Sequence, residues 1–184
     1  MSDVNFPHIL AAAQLGADWA WTSIYRDLAP SVIGYARARG AREPEDLTGE
    51  VFLQVVRDLR RFDGTERDFR AWVFTIARHR VIDEGRRRGR QPQVDPAPHF
   101  ETKDEPSGNA EEEALEALNA EWVRGVITGL SGAQRDVVLL RVLGDLTVEE
   151  VARVVGKSPG AVKALQRRGL AEIRVALSRE GVTP

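Results

Sequence analysis

The chain has 184 residues, of which 42% are hydrophobic and 29% are charged, and its net charge is −2 at pH 7. This composition allows one or two compact domains and argues against a largely disordered chain. Cysteine is absent and the three histidines have no metal-ligand spacing, so we expect no disulfide, no metal and no cofactor. No apolar run approaches the roughly 20 residues that cross a bilayer, and the N-terminus does not resemble a signal peptide. We therefore expect a cytoplasmic protein without direct membrane contact.

Charge is unevenly distributed along the chain. Between Arg57 and Arg90, 11 arginines accompany 6 acidic residues, and between Lys157 and Arg179, 6 basic residues accompany a single acid. The segment from Glu101 to Glu121 is acidic instead, with 8 carboxylates and one lysine. A solvated helix face is the simpler explanation for any one charged run. Two basic segments, each beside a structural motif, favour a polyanionic partner.

The first half of the chain predicts helices, because its apolar residues recur at spacings of three and four. We expect a break at Pro30 between two helices, and a third helix that begins after Pro44. The stretch "FDGTERD" predicts a turn, and a long helix is expected over 68–88. No alternating strand pattern is present in this half.

Residues 89–107 contain four prolines and show no periodicity, which predicts a linker. An acidic helix is expected from about Ala110, and further helices over 132–143, 147–155 and 159–177. The predicted fold class is therefore all-α, with two small helical domains joined by a flexible Pro-rich and acidic linker. We expect the first domain at 1–90, the linker at 91–111 and the second domain at 112–184.

The second domain contains the signals of a helix-turn-helix. Thr147 and Glu150 have the spacing of a capping box, which predicts a helix start. Gly156 can adopt the left-handed conformation that ends this helix, while Ser158 and Pro159 suit the cap and the first position of the next one. A tight bend is expected between the two helices.

The second helix of this pair carries a basic stripe. Lys163 and Arg167 can donate to guanine acceptors, and the small side chain of Ala164 permits close approach to a major groove. Arg168, on the flank, suits a phosphate contact. An ordinary helical hairpin with a solvated basic face is the alternative. The caps, the bend and the stripe together favour DNA binding.

Three stretches carry a family resemblance. "EPEDLTGEVFLQVVRDLRRFDG" and "DFRAWVFTIARHRVIDEGRRRGR" resemble the first conserved domain of bacterial sigma-70 factors, with the two-domain extracytoplasmic-function (ECF) group the nearest match. "LSGAQRDVVLLRVLGDLTVEEVARVVGKSPGAVKALQRRGLAEIRVAL" resembles their second conserved domain. The resemblance implies a sigma factor that binds core RNA polymerase and directs promoter recognition and transcription initiation, under the control of an anti-sigma factor.

The same resemblance implies roles for individual residues. Four residues would dock on the clamp helices of the largest polymerase subunit: Asp46, Leu47, Glu50 and Gln54. The second-largest polymerase subunit would be a further partner of the chain. Recognition of the minus-ten element falls to Phe62, Asp63, Gly64, Thr65, Arg67, Arg78, His79, Arg80, Arg86 and Arg87. Recognition of the minus-thirty-five element falls to Ser158, Pro159, Ala161, Lys163, Ala164, Arg167 and Arg168.

Three other classes of protein are alternatives to a sigma factor. A LuxR-like transcriptional regulator would end in a similar helix-turn-helix, but its receiver domain needs alternating strands and helices. A helical adaptor for proteins would leave the two basic segments unexplained. An enzyme is disfavoured, because no nucleophile and base pair, metal cluster or phosphate-binding Gly-rich loop is evident.

Overall fold

The computed structural model describes residues 5–89 and 125–179. Helices and short connections make up these residues and no strand occurs among them, which confirms the all-α prediction. The predicted linker and the start of the acidic helix lie outside the described residues. The helices are α1 (Phe6–Gln14), α2 (Asp18–Ala38), α3 (Pro44–Asp58), α4 (Glu66–Arg88), α5 (Gly132–Val142), α6 (Val148–Val155) and α7 (Pro159–Arg179), with a 3-10 turn at Leu59–Arg61 and helical residues at 125–129.

The first domain packs α1 to α4 around an apolar core. Ile24 and Leu28 of α2, Val51 and Val55 of α3, and Phe74 of α4 are all fully buried. The four-residue spacing within α2 and within α3 gives each of these helices an apolar stripe that faces its neighbours. Burial of each such side chain contributes about 1.5–3 kcal/mol, so tertiary packing holds these helices together.

The expected break at Pro30 is wrong, because α2 continues through this residue from Asp18 to Ala38. Proline inside a helix costs about 3 kcal/mol, through a lost backbone hydrogen bond and a steric clash. Pro30 lies on the exposed side of α2, while Leu28 and Val32 beside it are fully buried. Burial on both sides of the proline offsets its cost and keeps the helix continuous.

The second domain packs α5, α6 and α7 around Val137, Leu140, Val151 and Val162, all of them fully buried. Helices α5 and α7 approach closely at Gly169, where an added Cβ would lie 3.0 Å from Val138 Cγ2. A larger residue there would push α7 away from α5. The close contact fixes the orientation of α7, which carries the basic stripe.

The two domains contact each other directly. Buried apolar residues of both belong to one continuous core. Helix α4 packs along α6, and α2 approaches α5. At this second contact a Cβ added at Gly34 would lie 3.5 Å from Leu143 Cδ1.

Within the ranges that the structure covers, no helix is long and apolar enough to span a membrane.

Candidate DNA and polymerase interfaces

The helix-turn-helix forms as the sequence predicts. The hydroxyl of Thr147 accepts a hydrogen bond from the backbone N–H of Glu150, and the Glu150 carboxylate accepts one from Thr147 N, which completes the capping box. Gly156 ends α6 with a left-handed φ of 66°. The Ser158 hydroxyl accepts from the N–H of Ala161 at 3.2 Å and caps α7. These local bonds fix the bend between α6 and α7.

Helix α7 has one buried and one exposed side. Val162 and Gly169 face the domain, whereas Lys163, Arg167 and Arg168 are exposed. Among the described residues, Lys163 and Arg167 have no ion pair or side-chain hydrogen bond, so both cationic groups are available to a ligand. The remaining predicted residues of this surface are exposed or half-buried on the same helix start: Ser158, Pro159, Ala161 and Ala164.

The predicted minus-ten loop lies between the 3-10 turn and α4. Asp63, Gly64 and Thr65 are exposed, whereas Phe62 is half-buried and stacks on Trp72 with ring centroids 5.2 Å apart. Phe62 also meets Phe69 edge to face. Its ring is therefore part of an aromatic cluster that holds the loop, and the exposed loop residues are the ones available to a ligand.

The start of α4 is fixed by its own capping box. Thr65 and Asp68 exchange side-chain to backbone hydrogen bonds, and Thr65 Oγ1 lies 2.7 Å from Asp68 Oδ2. The hydrogen bond from Thr65, followed by that from Arg153, lowers the pKa of the Asp68 carboxyl. The sequence analysis did not identify this cap, although its spacing is that of a capping box.

Gln14 is a second anchor of this loop that sequence reasoning missed. Its side-chain amide donates to the backbone oxygen of Leu59 at 3.1 Å and to that of Phe62 at 2.9 Å. Two carbonyls of the turn before the loop are thereby tied to the end of α1. No local pattern indicates such a contact, because its partners lie 45 and 48 positions away.

The predicted minus-ten arginines of α4 do not share one face. Arg78 Nε lies 3.0 Å from Asp136 Oδ2 of α5, and Arg67 Nε lies 2.9 Å from Glu150 Oε1 of α6. Both side chains thus point to the second domain. Arg80 bonds to Glu50 and Gln54 of α3, two residues predicted to bind polymerase.

Three of the predicted residues near the end of α4 remain exposed: His79, Arg86 and Arg87. Arg86 Nη1 lies 3.7 Å from Asp83 one turn away, a loose pair on the surface. Surface pairs of this kind contribute about 0–1 kcal/mol to stability. This end of α4 is a part of the predicted surface that stays exposed while the two domains are packed together.

On α3 the predicted docking residues divide by burial. Asp46 and Glu50 are exposed and Gln54 is half-buried, but Leu47 is 7% exposed and belongs to the core. Leu47 therefore lies on the core side of α3, where it packs beneath the exposed docking residues and holds their helix in place.

Two apolar residues of α3 are exposed instead, and the sequence analysis did not select them for docking. Leu53 is 58% and Val56 is 49% exposed. Leu53 follows Glu50 by three positions, which places both on one face of the helix. An apolar side chain at a position where the periodicity expects a polar one is the signal that could have identified it.

A mostly buried charge cluster, which the sequence analysis missed, lies where the two domains meet. Asp136 is 4% exposed and accepts from Tyr35 Oη at 3.0 Å, while Arg39 Nε lies 2.9 Å and Arg78 Nε 3.0 Å from its two oxygens. Burial, and then the negative charge of Asp136, raise the pKa of Tyr35, so its hydroxyl remains a donor. The cluster joins α2, α4 and α5 across the domain boundary.

In the described parts of the chain, 5–89 and 125–179, no group of three or more His, Cys, Asp or Glu side chains is placed to hold an ion. The helical first domain also lacks the strands that a LuxR-like receiver domain needs, as far as residues 5–89 show.

Comparison with known families matches both domains. A Sigma-70 region 2 model matches residues 24–91, and a Sigma-70, region 4 model matches residues 120–173. ECF RNA polymerase sigma factor ShbA of Streptomyces griseus is 37% identical over 154 residues, which cover 79% of this chain and 81% of that protein. ECF RNA polymerase sigma factor SigD of Mycobacterium tuberculosis is 30% identical over 172 residues, 90% of this chain and 81% of that one.

A solved structure agrees in fold. The sigma factor RpoE of Bartonella quintana, crystallised with the anti-sigma factor NepR, has a TM-score of 0.66 and 18% identity, and the match covers 86% of this chain and 96% of that one. Two region models in the order of the two domains, together with relatives that span most of the chain, establish the family. The chain belongs to the sigma-70 family, in the ECF group of RNA polymerase sigma factors.

Proposed function

We propose that the chain reads a promoter with two separate surfaces while it is bound to core RNA polymerase. The second domain recognises the minus-thirty-five element, and the first recognises the minus-ten element and helps to open it. The observation that supports this proposal best is the exposed basic face of α7, on a capped helix-turn-helix, in a chain whose other domain matches region 2. The chain then acts as a DNA-binding initiation factor in the cytoplasm, without a cofactor and without catalytic chemistry of its own.

In the minus-thirty-five element, α7 enters the major groove with its N-terminal half. Lys163 and Arg167 donate to base edges, Ala161 and Ala164 allow close approach, and Arg168 holds a phosphate. Ser158 and Pro159 begin the helix, where free backbone N–H groups suit a further phosphate. A bidentate contact from Arg167 to guanine would contribute about 1–3 kcal/mol of base discrimination.

The loop before α4 and the basic end of that helix recognise the minus-ten element. Asp63, Gly64 and Thr65 offer polar groups to an unstacked base, with the Phe62 cluster as an apolar wall. His79, Arg86 and Arg87 reach the phosphates, a contact that supplies affinity without base preference. Arg67 and Arg78 add to this surface once they leave their carboxylate partners.

The exposed face of α3 docks on the polymerase. Asp46, Glu50 and Gln54 present an acidic and polar surface that suits basic residues on the clamp helices of the largest subunit. Leu53 extends this face with an apolar side chain. The second domain is the candidate contact of the second-largest subunit.

We divide the chain into a first domain at 1–90, a linker at 91–111 and a second domain at 112–184. Control by an anti-sigma factor is part of the proposal. It is supported by the structurally similar RpoE, which is bound to such a factor. An inhibitor of this kind would cover surfaces that polymerase or DNA must reach.

Transcription in a reconstituted system tests the proposal. Purified chain is added to core RNA polymerase with a genomic promoter library, and run-off transcripts are mapped to their start sites. We expect a stable complex with the core enzyme and new start sites that share two upstream elements. No complex and no new start sites would refute the proposed function.

A further inference from the structure

Arg80 of α4 is bound within the first domain by two side chains of α3. Its guanidinium donates from Nη1 to Glu50 Oε2 at 3.2 Å and from Nη2 to Gln54 Oε1 at 3.0 Å. The arginine side chain is 32% exposed, so most of it is covered where α4 packs on α3. One planar fork thus spans both α3 side chains, and we call these three residues the Arg80 bridge.

Helix packing holds the Arg80 bridge in place. Glu50 and Gln54 lie four positions apart, which places them one turn apart on the same face of α3. Each residue of the bridge is followed in the chain by a buried valine of the first domain's core: Val51, Val55 and Val81. The two backbones are therefore fixed by burial, and the fork of Arg80 sets where the two polar side chains point.

The bridge decides which atom of Gln54 is left for a partner. A glutamine amide has one accepting and one donating end, whereas a guanidinium only donates. The amide oxygen of Gln54 is therefore the atom that meets Arg80, and the amide nitrogen remains as a donor. This nitrogen makes no hydrogen bond to another described residue and is not sealed from solvent, so a bound protein can reach it.

Glu50 has the opposite character. Arg80 binds its Oε2 atom, while Oε1 makes no hydrogen bond within the described residues and the side chain is 57% exposed. The free oxygen is an acceptor, because an ionised carboxylate only accepts. The exposed face of α3 thus presents an acceptor at Glu50 and, one turn later, a donor at Gln54.

We propose that Arg80 is a positioning residue of the polymerase-docking face, and that this face requires a cation opposite Glu50 and a carbonyl or carboxylate oxygen opposite Gln54. Side chains that are held before binding lose less conformational entropy when the partner arrives, so the bridge raises affinity. This inference rests on the proposed function, because it assumes that α3 docks on core RNA polymerase. It assigns Arg80 to docking rather than to the minus-ten element.

The Arg80 bridge adds little to the stability of the fold. Ion pairs that remain partly exposed contribute little to folding, because solvent screens them and two long side chains must be ordered. Substitutions in the bridge should therefore change polymerase binding without unfolding the chain.

Gln54→Glu tests the outward donor. The new carboxylate still accepts from Arg80, but it replaces the amide donor with a second acceptor. We expect the affinity for core RNA polymerase to fall about tenfold or more, because two acceptors then face each other. The thermal midpoint should stay close to that of the parent chain. Competition with a fluorescently labelled parent chain measures the affinity, and unchanged or tighter binding would overturn the proposal.

Arg80→Met tests the positioning role, because it removes the fork and keeps a long apolar side chain. We expect core binding to weaken about tenfold, while the free chain binds a single-stranded minus-ten oligonucleotide as before. Arg70→Met is the matched control and should leave core affinity unchanged, because Arg70 pairs with Asp27 elsewhere in the first domain, at 2.8 Å. Unchanged core affinity of Arg80→Met would overturn the proposal. Weaker oligonucleotide binding with unchanged core affinity would assign Arg80 to DNA instead.

A double-mutant cycle separates positioning from a general loss of stability. If Arg80 acts through Gln54, then Gln54→Ala weakens core binding more in the parent chain than in the Arg80→Met chain. Equal effects in both backgrounds would refute the positioning role. A parent chain that does not bind core polymerase would refute the proposed function, whereas a parent chain that binds no more tightly than these variants would refute this inference alone.

Discussion

The two basic surfaces of this chain differ in what their cations touch. On α7, Lys163 and Arg167 project from a rigid, capped helix without an internal counter-charge among the described residues. On α4, Arg67 and Arg78 are bound to carboxylates of the other domain. Both surfaces were predicted from similar basic runs, yet only the cations of α7 are without a carboxylate partner, among the described residues, while the two domains are packed together.

The difference shows that a basic run in a sequence indicates positive charge, but not whether the cationic side chains are free to bind a ligand. A guanidinium beside a buried carboxylate has already lost much of its water, and transfer to a phosphate requires that the carboxylate regain solvent. An exposed lysine or arginine needs no such exchange. Substitutions should therefore affect the α4 surface through domain docking and the α7 surface through direct binding.

Removal of the Asp136 carboxylate, which lies between Tyr35, Arg39 and Arg78, has the largest expected effect. Asp136→Ala leaves Arg39 and Arg78 without their counter-charge at a mostly buried site and should weaken domain docking by about 3 kcal/mol. We expect one cooperative transition in urea to split into two, as the domains unfold independently. Tryptophan fluorescence together with circular dichroism measures this. A single transition of unchanged midpoint would show that the Asp136 contacts do not couple the domains.

Arg167→Ala should weaken binding of a minus-thirty-five duplex by about 1–3 kcal/mol and relax base preference at one position. Arg168→Ala, on the flank of the same helix, serves as the comparison and should lower affinity evenly across sequences, with a salt slope reduced by about 0.9. Fluorescence anisotropy over a series of duplexes and salt concentrations separates the two. Equal effects of both substitutions would argue against the division between base reading and phosphate binding.

Gln14→Met keeps the approximate shape of the side chain but removes its amide. The two hydrogen bonds to the turn before the minus-ten loop are lost, which should cost about 1–2 kcal/mol in the free energy of unfolding. Binding of the minus-ten oligonucleotide should fall as the loop loosens, while binding of the minus-thirty-five duplex stays constant. If both affinities changed together, the effect would be general instability rather than loop positioning.

Acid should weaken the α4 contacts before it affects α7. Burial raises the pKa of Glu150, but hydrogen bonds from Arg67 and Thr147 outweigh it and leave the pKa below its usual value. The pKa of Asp68 is lowered as well, by Thr65 and then Arg153. The parts of these shifts that come from Arg67 and Arg153 therefore stabilise docking fully above the ordinary carboxyl pKa of about 4, and that contribution is lost as the pH falls through the lowered value. Spin labels at Ala11→Cys and Ala133→Cys, two exposed positions in different domains, report the distance between the domains. As the pH is lowered from 7, this distance should lengthen only below about pH 4.

Local signals account for what could be predicted from the sequence. The capping box at Thr147, the left-handed Gly156 and the spacing of Val51 and Val55 each depend on neighbours within a few positions, so their helices formed where expected. The prediction of a break at Pro30 was wrong because burial of other α2 side chains keeps the helix continuous through this residue.

Long-range contacts explain what the sequence could not show. Tyr35 and Asp136 lie 101 positions apart, and no local pattern connects them. The same is true of Arg80, which belongs by sequence to a DNA-binding run but bonds to Glu50 and Gln54 of α3. Leu47 was selected with its polar neighbours although the helix period places it in the core.

Start-site mapping on a promoter library with randomised upstream sequence tests the central claim most directly. Core RNA polymerase is combined with the parent chain or with Arg167→Ala, and active promoters are sequenced. The account predicts two enriched elements with the parent chain, and a changed base preference confined to the upstream element with the variant. Activity that depends on one element alone, or a preference that shifts in the downstream element, would contradict it.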